Sequence, residues 1–317
     1  MQAEYLVTGG SGFIGSNIVR FLAGQGHAVR VMDNLATGRL GNIKDLVEVG
    51  KVEFVHGDIR DPAACRVACE GVRFVLHLAA LPSVIASVEH PDISNAVNLD
   101  GTVNMLVAAR DAKVDRFVFS SSSAVYGDAP ELPKRETMLP APMSPYAVQK
   151  LAGEYYCSIF HGLYGVATFS LRYFNVFGPR QNPKSQYAAV VPLFVEAFRD
   201  RRAPTIYGDG GQTRDFIFVE DVARANIACC TAPVTAAGGV YNIAWGSSIT
   251  VSDLAAQIAA VMGRSDIKPV NAPSRAGDIR DSLADASRAA QYLGWKPQVP
   301  FNEGLRRTVE WFAHGPG

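Results

Sequence analysis

Short runs rich in Val, Phe, Leu and Tyr alternate with helix-period segments through the first half of the chain. "EYLVTG" is followed by "FIGSNIVRFLAGQG", and then come "AVRVMD", "VEFVHGD", "PAACRVACEG", "RFVLHLAA", "NAVNLDGTVNMLVAARDA" and "RFVFSSS". Nearly continuous apolar strands separated by amphipathic helices predict βαβ units, and so a parallel sheet covered on both faces. After Phe174 the rhythm loosens. Prolines and glycines become frequent, and helical stretches such as "VVPLFVEAFRDR" and "TVSDLAAQIAAVMG" are separated by longer loops. The pattern predicts an α/β protein with a doubly wound parallel sheet over residues 1–172. A second, smaller α/β lobe is expected over residues 173–317, with segments crossing between the two and a ligand cleft where they meet.

Composition changes this picture little. With 317 residues, 48% of them apolar and 19% charged, the chain can bury a sizeable core. Thirty basic residues balance thirty acidic ones, so no overall field draws the protein to nucleic acid or an anionic membrane. A small-molecule partner, bound by local chemistry, is expected instead. The first residues run straight into a strand, without a basic start and long apolar stretch, and no later run reaches membrane length. A cytoplasmic location and no membrane partner are therefore expected. The five cysteines, Cys65, Cys69, Cys157, Cys229 and Cys230, form no CxxC pair and no zinc-ligand spacing with histidine, so they read as buried thiols and no metal is expected.

The first chemistry-bearing stretch is "YLVTGGSGFIGS", a strand end and helix start with Gly9, Gly12 and Gly15 in GxxGxxG spacing. Glycines permit a tight turn and close approach of phosphate, while the unpaired N–H groups of a helix start attract a pyrophosphate. Alone, this is also the pattern of a plain strand-to-helix turn. The next strand, however, ends at Asp33, where a carboxylate accepts from the adenosine ribose of NAD and repels a 2′-phosphate. Two further strand ends bring Asp58 and Ile59, then Leu78, Ala79 and Ala80, to the same sheet edge. Together they define a Rossmann-type dinucleotide crevice for NAD.

A second stretch, "SPYAVQK", places Tyr146 and Lys150 four apart, on one face of a helix. A nearby ammonium and a cationic nicotinamide favour phenolate, so the pair can move a proton, although the same spacing also fits an exposed tyrosine and a solvated lysine. Upstream, "RFVFSSSSAVYG" ends in a serine run, too polar for a buried strand interior but suited to holding a substrate hydroxyl.

With "TGGSGFIG", "SSSSAVYG", "SPYAVQK", "LRYFNVFGPR" and "DGGQTRDFIFVEDV", the chain resembles the extended short-chain dehydrogenase/reductase family from Tyr5 to about Trp311. Within it, the resemblance is to the nucleotide-sugar 4-epimerases typified by UDP-glucose 4-epimerase. It implies Tyr146 as base, Lys150 as its partner and either Ser121 or Ser122 as the hydroxyl-binding serine. For NAD it implies Gly9, Gly12, Phe13, Ile14, Gly15, Asp33, Asn34, Asp58, Ile59, Leu78, Ala79, Ala80, Asn98 and Tyr173, together with Tyr146 and Lys150. One departure is Pro82, where some relatives carry a lysine; weaker cofactor retention is expected.

For a UDP-sugar substrate the resemblance implies Asn175, Ala189, Val190, Arg214, Phe216, Arg275 and Asp278, besides Ser122 and Tyr146. It also places Ser282 beside the sugar's 2-substituent. A small side chain there leaves room for an acetamide, so UDP-GlcNAc and UDP-GalNAc are expected, with UDP-Glc and UDP-Gal as further substrates. A UDP-glucuronate 4-epimerase is the alternative, with Arg180 or Lys184 meeting the carboxylate. Dehydratases and decarboxylases need an acidic residue beside the hydroxyl-binding Ser/Thr, and "SSSSAVYG" has none; a non-catalytic NAD-binding protein has no need of the Tyr, Lys and Ser together. A homodimer is expected from the resemblance, through helices beginning near Asn95 and Tyr146.

Overall fold

The computed structural model describes residues 3–183, 189–274 and 279–314. Its centre is a seven-stranded, all-parallel sheet. Six strands come from the first half: β1 (Tyr5–Thr8), β2 (Val29–Asp33), β3 (Val52–His56), β4 (Phe74–His77), β5 (Arg116–Ser122) and β6 (Thr168–Tyr173). The seventh, Gly239–Ile243, lies far along the chain yet pairs with β6. The spatial order is seventh-β6-β5-β4-β1-β2-β3, so the winding reverses between β1 and β4. In such sheets the ligand crevice opens at the carboxyl ends of the strands flanking that reversal.

Strands β1, β4 and β6 are buried along their whole length, β1 and β4 as largely apolar runs and β6 with its Thr168, Ser170 and Arg172 buried as well. One face packs Ile18, Val19 and Leu22 of the helix Phe13–Gly24 with Val222 and Cys229 of the helix Val219–Thr231. The other face packs Cys65, Met105, Leu106, Phe117, Cys157 and Phe160. All five cysteines are buried and free. A separate apolar cluster gathers Phe177, Phe194, Phe198, Phe216, Phe218, Leu254 and Phe312 from the later half. Residues Phe13 and Ile14 of the glycine loop pack against this cluster too, which joins it to the sheet.

Two features differ from the sequence reading. The serine run does not end the strand early: β5 continues through Ser122, with Ser120 and Ser121 buried. Buried hydroxyls are tolerated because each finds a polar neighbour, as described below. The segment "NAVNLDGTVN" is also not one regular helix; it passes through a π-helical turn over Ala96–Asp100 before the α-helix Gly101–Asp111.

The helix carrying "SPYAVQK" spans Pro145–Tyr164. The Ser144 hydroxyl caps it by accepting from the Ala147 N–H at 3.2 Å, and proline at its first position needs no hydrogen-bond partner. Gly165, in the left-handed conformation at φ 71°, ends it.

Candidate active site

The carboxyl ends of the strands line a cleft of about 1160 Å³. Gly9, Gly12, Phe13, Ile14, Gly15, Asp33, Asn34, Asp58, Ile59, Leu78, Ala79 and Ala80 line it, as do Ser121, Ser122, Tyr146, Lys150, Tyr173 and Ala189.

At its nucleotide end the glycines are sterically required. Gly9 has φ +69°, and a Cβ there would lie 2.8 Å from the Ala79 nitrogen; a Cβ on Gly15 would fall 2.2 Å from the Gly9 carbonyl oxygen. The Asp33 carboxylate accepts the Ser11 N–H at 2.9 Å and the Leu35 N–H at 2.8 Å, which fixes the turn on both sides of the crevice. Asp58 accepts from Asn34 at 2.9 Å and from the Arg60 guanidinium, bonds that hold its carboxyl well below the usual range. A strand-end glycine cradle beside a fixed carboxylate fits a dinucleotide.

Asn98 does not line the cleft. It is buried, with its Oδ1 accepting the Leu81 N–H at 2.7 Å and its Nδ2 donating to Gln149 Oε1 at 2.8 Å. It thus ties the loop after β4 to the helix Pro145–Tyr164. Ser87 adds a second tie: its hydroxyl accepts the Tyr146 N–H at 3.1 Å. Neither Ser87 nor Gln149 stands out in the sequence, because the partners just named lie 59 and 51 residues away.

Lys150 is 3% exposed. Its Nζ donates to the Ser120 carbonyl at 2.6 Å and lies 4.9 Å from the Phe119 ring centroid and 5.8 Å from that of Tyr146. Burial pulls its ammonium down to about 8, with Cys157 and Glu154 opposing. Burial raises the Tyr146 phenol, while the Ser122 hydroxyl facing it lowers it. The protein alone therefore holds this tyrosine protonated, and an added positive charge in the crevice is what would shift it toward phenolate.

Alternation along β5 separates the two candidate serines. Ser121 donates its hydroxyl to Glu154, and that carboxylate also receives Arg172 Nε at 2.8 Å and Nη2 at 2.7 Å in a fully buried pair. Ser122 is on the other face, its Oγ accepting the Ala124 N–H at 3.2 Å with the rest of its capacity directed to Tyr146. Tyr173 pairs with Asn226 at 3.0 Å and with Ser120. His77, deeper beneath the cleft, lies 2.8 Å from Thr8 Oγ1 and 3.1 Å from Thr102 Oγ1; burial pulls it down to about 3, so it stays neutral.

Asn175, Val190, Arg214, Phe216 and Ser282 are not in the cleft wall. Asn175 and Phe216 are register partners in a two-stranded sheet, and the Ser282 N–H donates to the Thr213 carbonyl at 3.2 Å, beside Arg214. The buried Asp215 between them accepts the backbone N–H groups of Trp245, Gly246 and Ala284, and so joins these segments. Arg275, Asp278 and Lys184 lie outside the described residues. Residues the sequence reading did not assign to the nucleotide also line the cleft, among them Arg39, Arg180, Gln181 and Asn182. The signal for the last three was the "GPRQN" that follows "RYFNVF".

Residues 5–244 match the NAD dependent epimerase/dehydratase family, and the chain belongs to it. NAD is accordingly its cofactor. A UDP-glucose 4-epimerase of Mycolicibacterium smegmatis is 41% identical, with 98% of each chain covered. Among solved structures, a UDP-N-acetylglucosamine 4-epimerase from Methanobrevibacter ruminantium superposes with a TM-score of 0.93 at 41% identity over 99% of both chains. A Thermus thermophilus UDP-glucose 4-epimerase in complex with NAD gives 0.87 at 38% over 98% of each.

Proposed function

We propose that the protein is an NAD-dependent UDP-sugar 4-epimerase that interconverts UDP-GlcNAc and UDP-GalNAc, with UDP-Glc and UDP-Gal as further substrates. The observation that carries this reading is the convergence of Tyr146, Lys150 and Ser122 on one wall of the cleft that also holds the glycine cradle. Relatives named as UDP-sugar 4-epimerases, matching over nearly their full lengths, support the substrate class.

When bound, NAD supplies a hydride acceptor and donor at its nicotinamide. Gly9, Gly12, Gly15 and Asp33 would hold its adenosine and pyrophosphate, and Lys150 and Tyr173 the nicotinamide end. Tyr146 takes the proton of the sugar's 4-hydroxyl as carbon 4 is oxidised and returns it after the 4-keto sugar has presented its opposite face. Ser122 orients that hydroxyl. Lys150 stands 5.8 Å from the Tyr146 ring, and a cationic nicotinamide held beside both would supply the added positive charge that favours phenolate. Ser121, committed to Glu154, takes no part. The UDP moiety is assigned to Ala189 in the cleft wall, to Asn175, Val190, Arg214 and Phe216 beyond that wall, and to Arg275 and Asp278, the arginines serving the diphosphate. Ser282 gives space to the sugar's 2-substituent.

Incubating purified protein with UDP-GlcNAc, UDP-Glc and UDP-GlcA, without added NAD, and following the sugar protons by NMR tests this reading. Accumulation of UDP-GalNAc is expected; conversion of UDP-GlcA alone would replace it with the glucuronate alternative.

The protein acts as a cytoplasmic homodimer in this proposal. On the helix Pro145–Tyr164, Val148, Tyr155, Ile159 and Leu163 form an exposed apolar stripe opposite the Tyr146–Lys150 face, and Ile85 and Val88 are exposed on the helix Val84–Glu89, which packs against it. A stripe at this spacing suits helix-to-helix packing with a second copy. Light scattering is expected to give twice the 34.0 kDa chain mass, and Ile159→Arg to give the single mass; a wild-type monomer at micromolar concentration would end the dimer assignment.

A further inference from the structure

Arg180 holds a left-handed conformation, φ 69°, that non-glycine residues rarely adopt. Its side chain lines the cleft, and its Nη1 donates to Asn17 Oδ1 at 2.9 Å. Asn17 is on the helix that follows the glycine loop, and its Nδ2 donates to the Phe13 carbonyl at 2.9 Å and the Pro179 carbonyl at 3.0 Å. Asn17 thus holds the segment carrying Arg180 against the start of that helix. Among the described residues no carboxylate lies within ion-pair distance of Arg180. Asp45 attracts it from further off but is already paired with Arg20, whose own charge repels Arg180. Burial and this repulsion bring Arg180 down to about 10. Nearby, Arg39 donates to Asn182 Oδ1 at 3.1 Å, adding another cation to the same rim. A partly buried guanidinium short of negative charge, facing a crevice beside unpaired helix N–H groups, is incomplete without an anion.

We propose that Arg180, held by Asn17, binds the pyrophosphate of the dinucleotide and so governs how long the cofactor stays on the protein. The inference rests on the NAD site and is independent of which sugar is turned over. The strained backbone at Arg180 is then compensated by the charge-assisted bonds that its side chain makes to the phosphates. Asn17 is a positioning residue here, since its amide bonds the guanidinium and not the nucleotide.

The test compares wild type with Arg180→Gln, Arg180→Lys and Asn17→Ala. NAD content after gel filtration is measured first, then the Kd for added NAD at low and high salt. Arg180→Gln is expected to retain little NAD, to bind it about 10- to 100-fold more weakly, and to lose much of the salt dependence. Arg180→Lys falls between it and wild type, and Asn17→Ala weakens NAD by a smaller factor while keeping the charge. Wild-type NAD content and affinity in Arg180→Gln would overturn the proposal, as would a defect confined to the KM of the UDP-sugar or to UDP-GlcA. If Arg180→Gln does not fold, unchanged NAD affinity in Asn17→Ala overturns it equally. The NAD titration needs no sugar, so it reads out even if no UDP-sugar is epimerised.

Discussion

Tyr146→Phe is expected to lower the epimerisation rate by about 10³-fold while leaving the fold and the bound NAD intact. In the proposed reaction the phenolic oxygen carries the sugar's proton, and phenylalanine keeps the ring in its place, 5.8 Å from the Lys150 ammonium. The serines sharpen the same expectation. Ser122→Ala should cost about 10²-fold, because Ser122 is the hydroxyl facing Tyr146. Ser121→Ala should instead lower stability, because it removes a hydroxyl from the buried Glu154–Arg172 pair. Rate constants under saturating NAD, set beside melting temperatures, separate the two effects. Turnover within tenfold of wild type in Tyr146→Phe would remove Tyr146 from the chemistry.

Ser282→Tyr is expected to reduce kcat/KM for UDP-GlcNAc by about 100-fold or more, equivalent to about 3 kcal/mol at the transition state. UDP-Glc turnover should change little. In the proposed reading residue 282 borders the sugar's 2-substituent; its backbone is bonded to the Thr213 carbonyl, outside the wall of the cleft that holds the glycine cradle, so the substitution leaves that cradle undisturbed. Parallel kinetics with both substrates check it; equal losses on the two, or none on either, would refute the gating role of residue 282.

The parts of the molecule set by short-range pattern were legible in the sequence. Near-continuous apolar runs named β1, β2, β4 and β5, strand-end chemistry located Gly9, Gly15, Asp33 and Ala79, and the helical four-residue spacing located Tyr146 and Lys150, all of which line the cleft. What depends on long-range pairing was not. The strand Gly239–Ile243 carries little alternation of its own and exists because β6 offers it a free edge. The choice between Ser121 and Ser122 required the position of Glu154, 33 residues from Ser121 in the chain. The tying roles of Asn98, Gln149 and Ser87 follow from packing between helices, which no local spacing encodes.

The groups assigned to the chemistry hang from the parallel sheet or from the helix Pro145–Tyr164, whereas Arg214 belongs to a small strand pair with Ile249–Thr250 and Ser282 to the segment bonded alongside it, which the buried Asp215 anchors through the Ala284 N–H. In the proposed reading, reaction and recognition are therefore built on separately anchored pieces of backbone. On that reading, a duplicated copy of such a gene would reach a new sugar by altering a few residues around position 282 and inherit its proton-transfer apparatus unchanged.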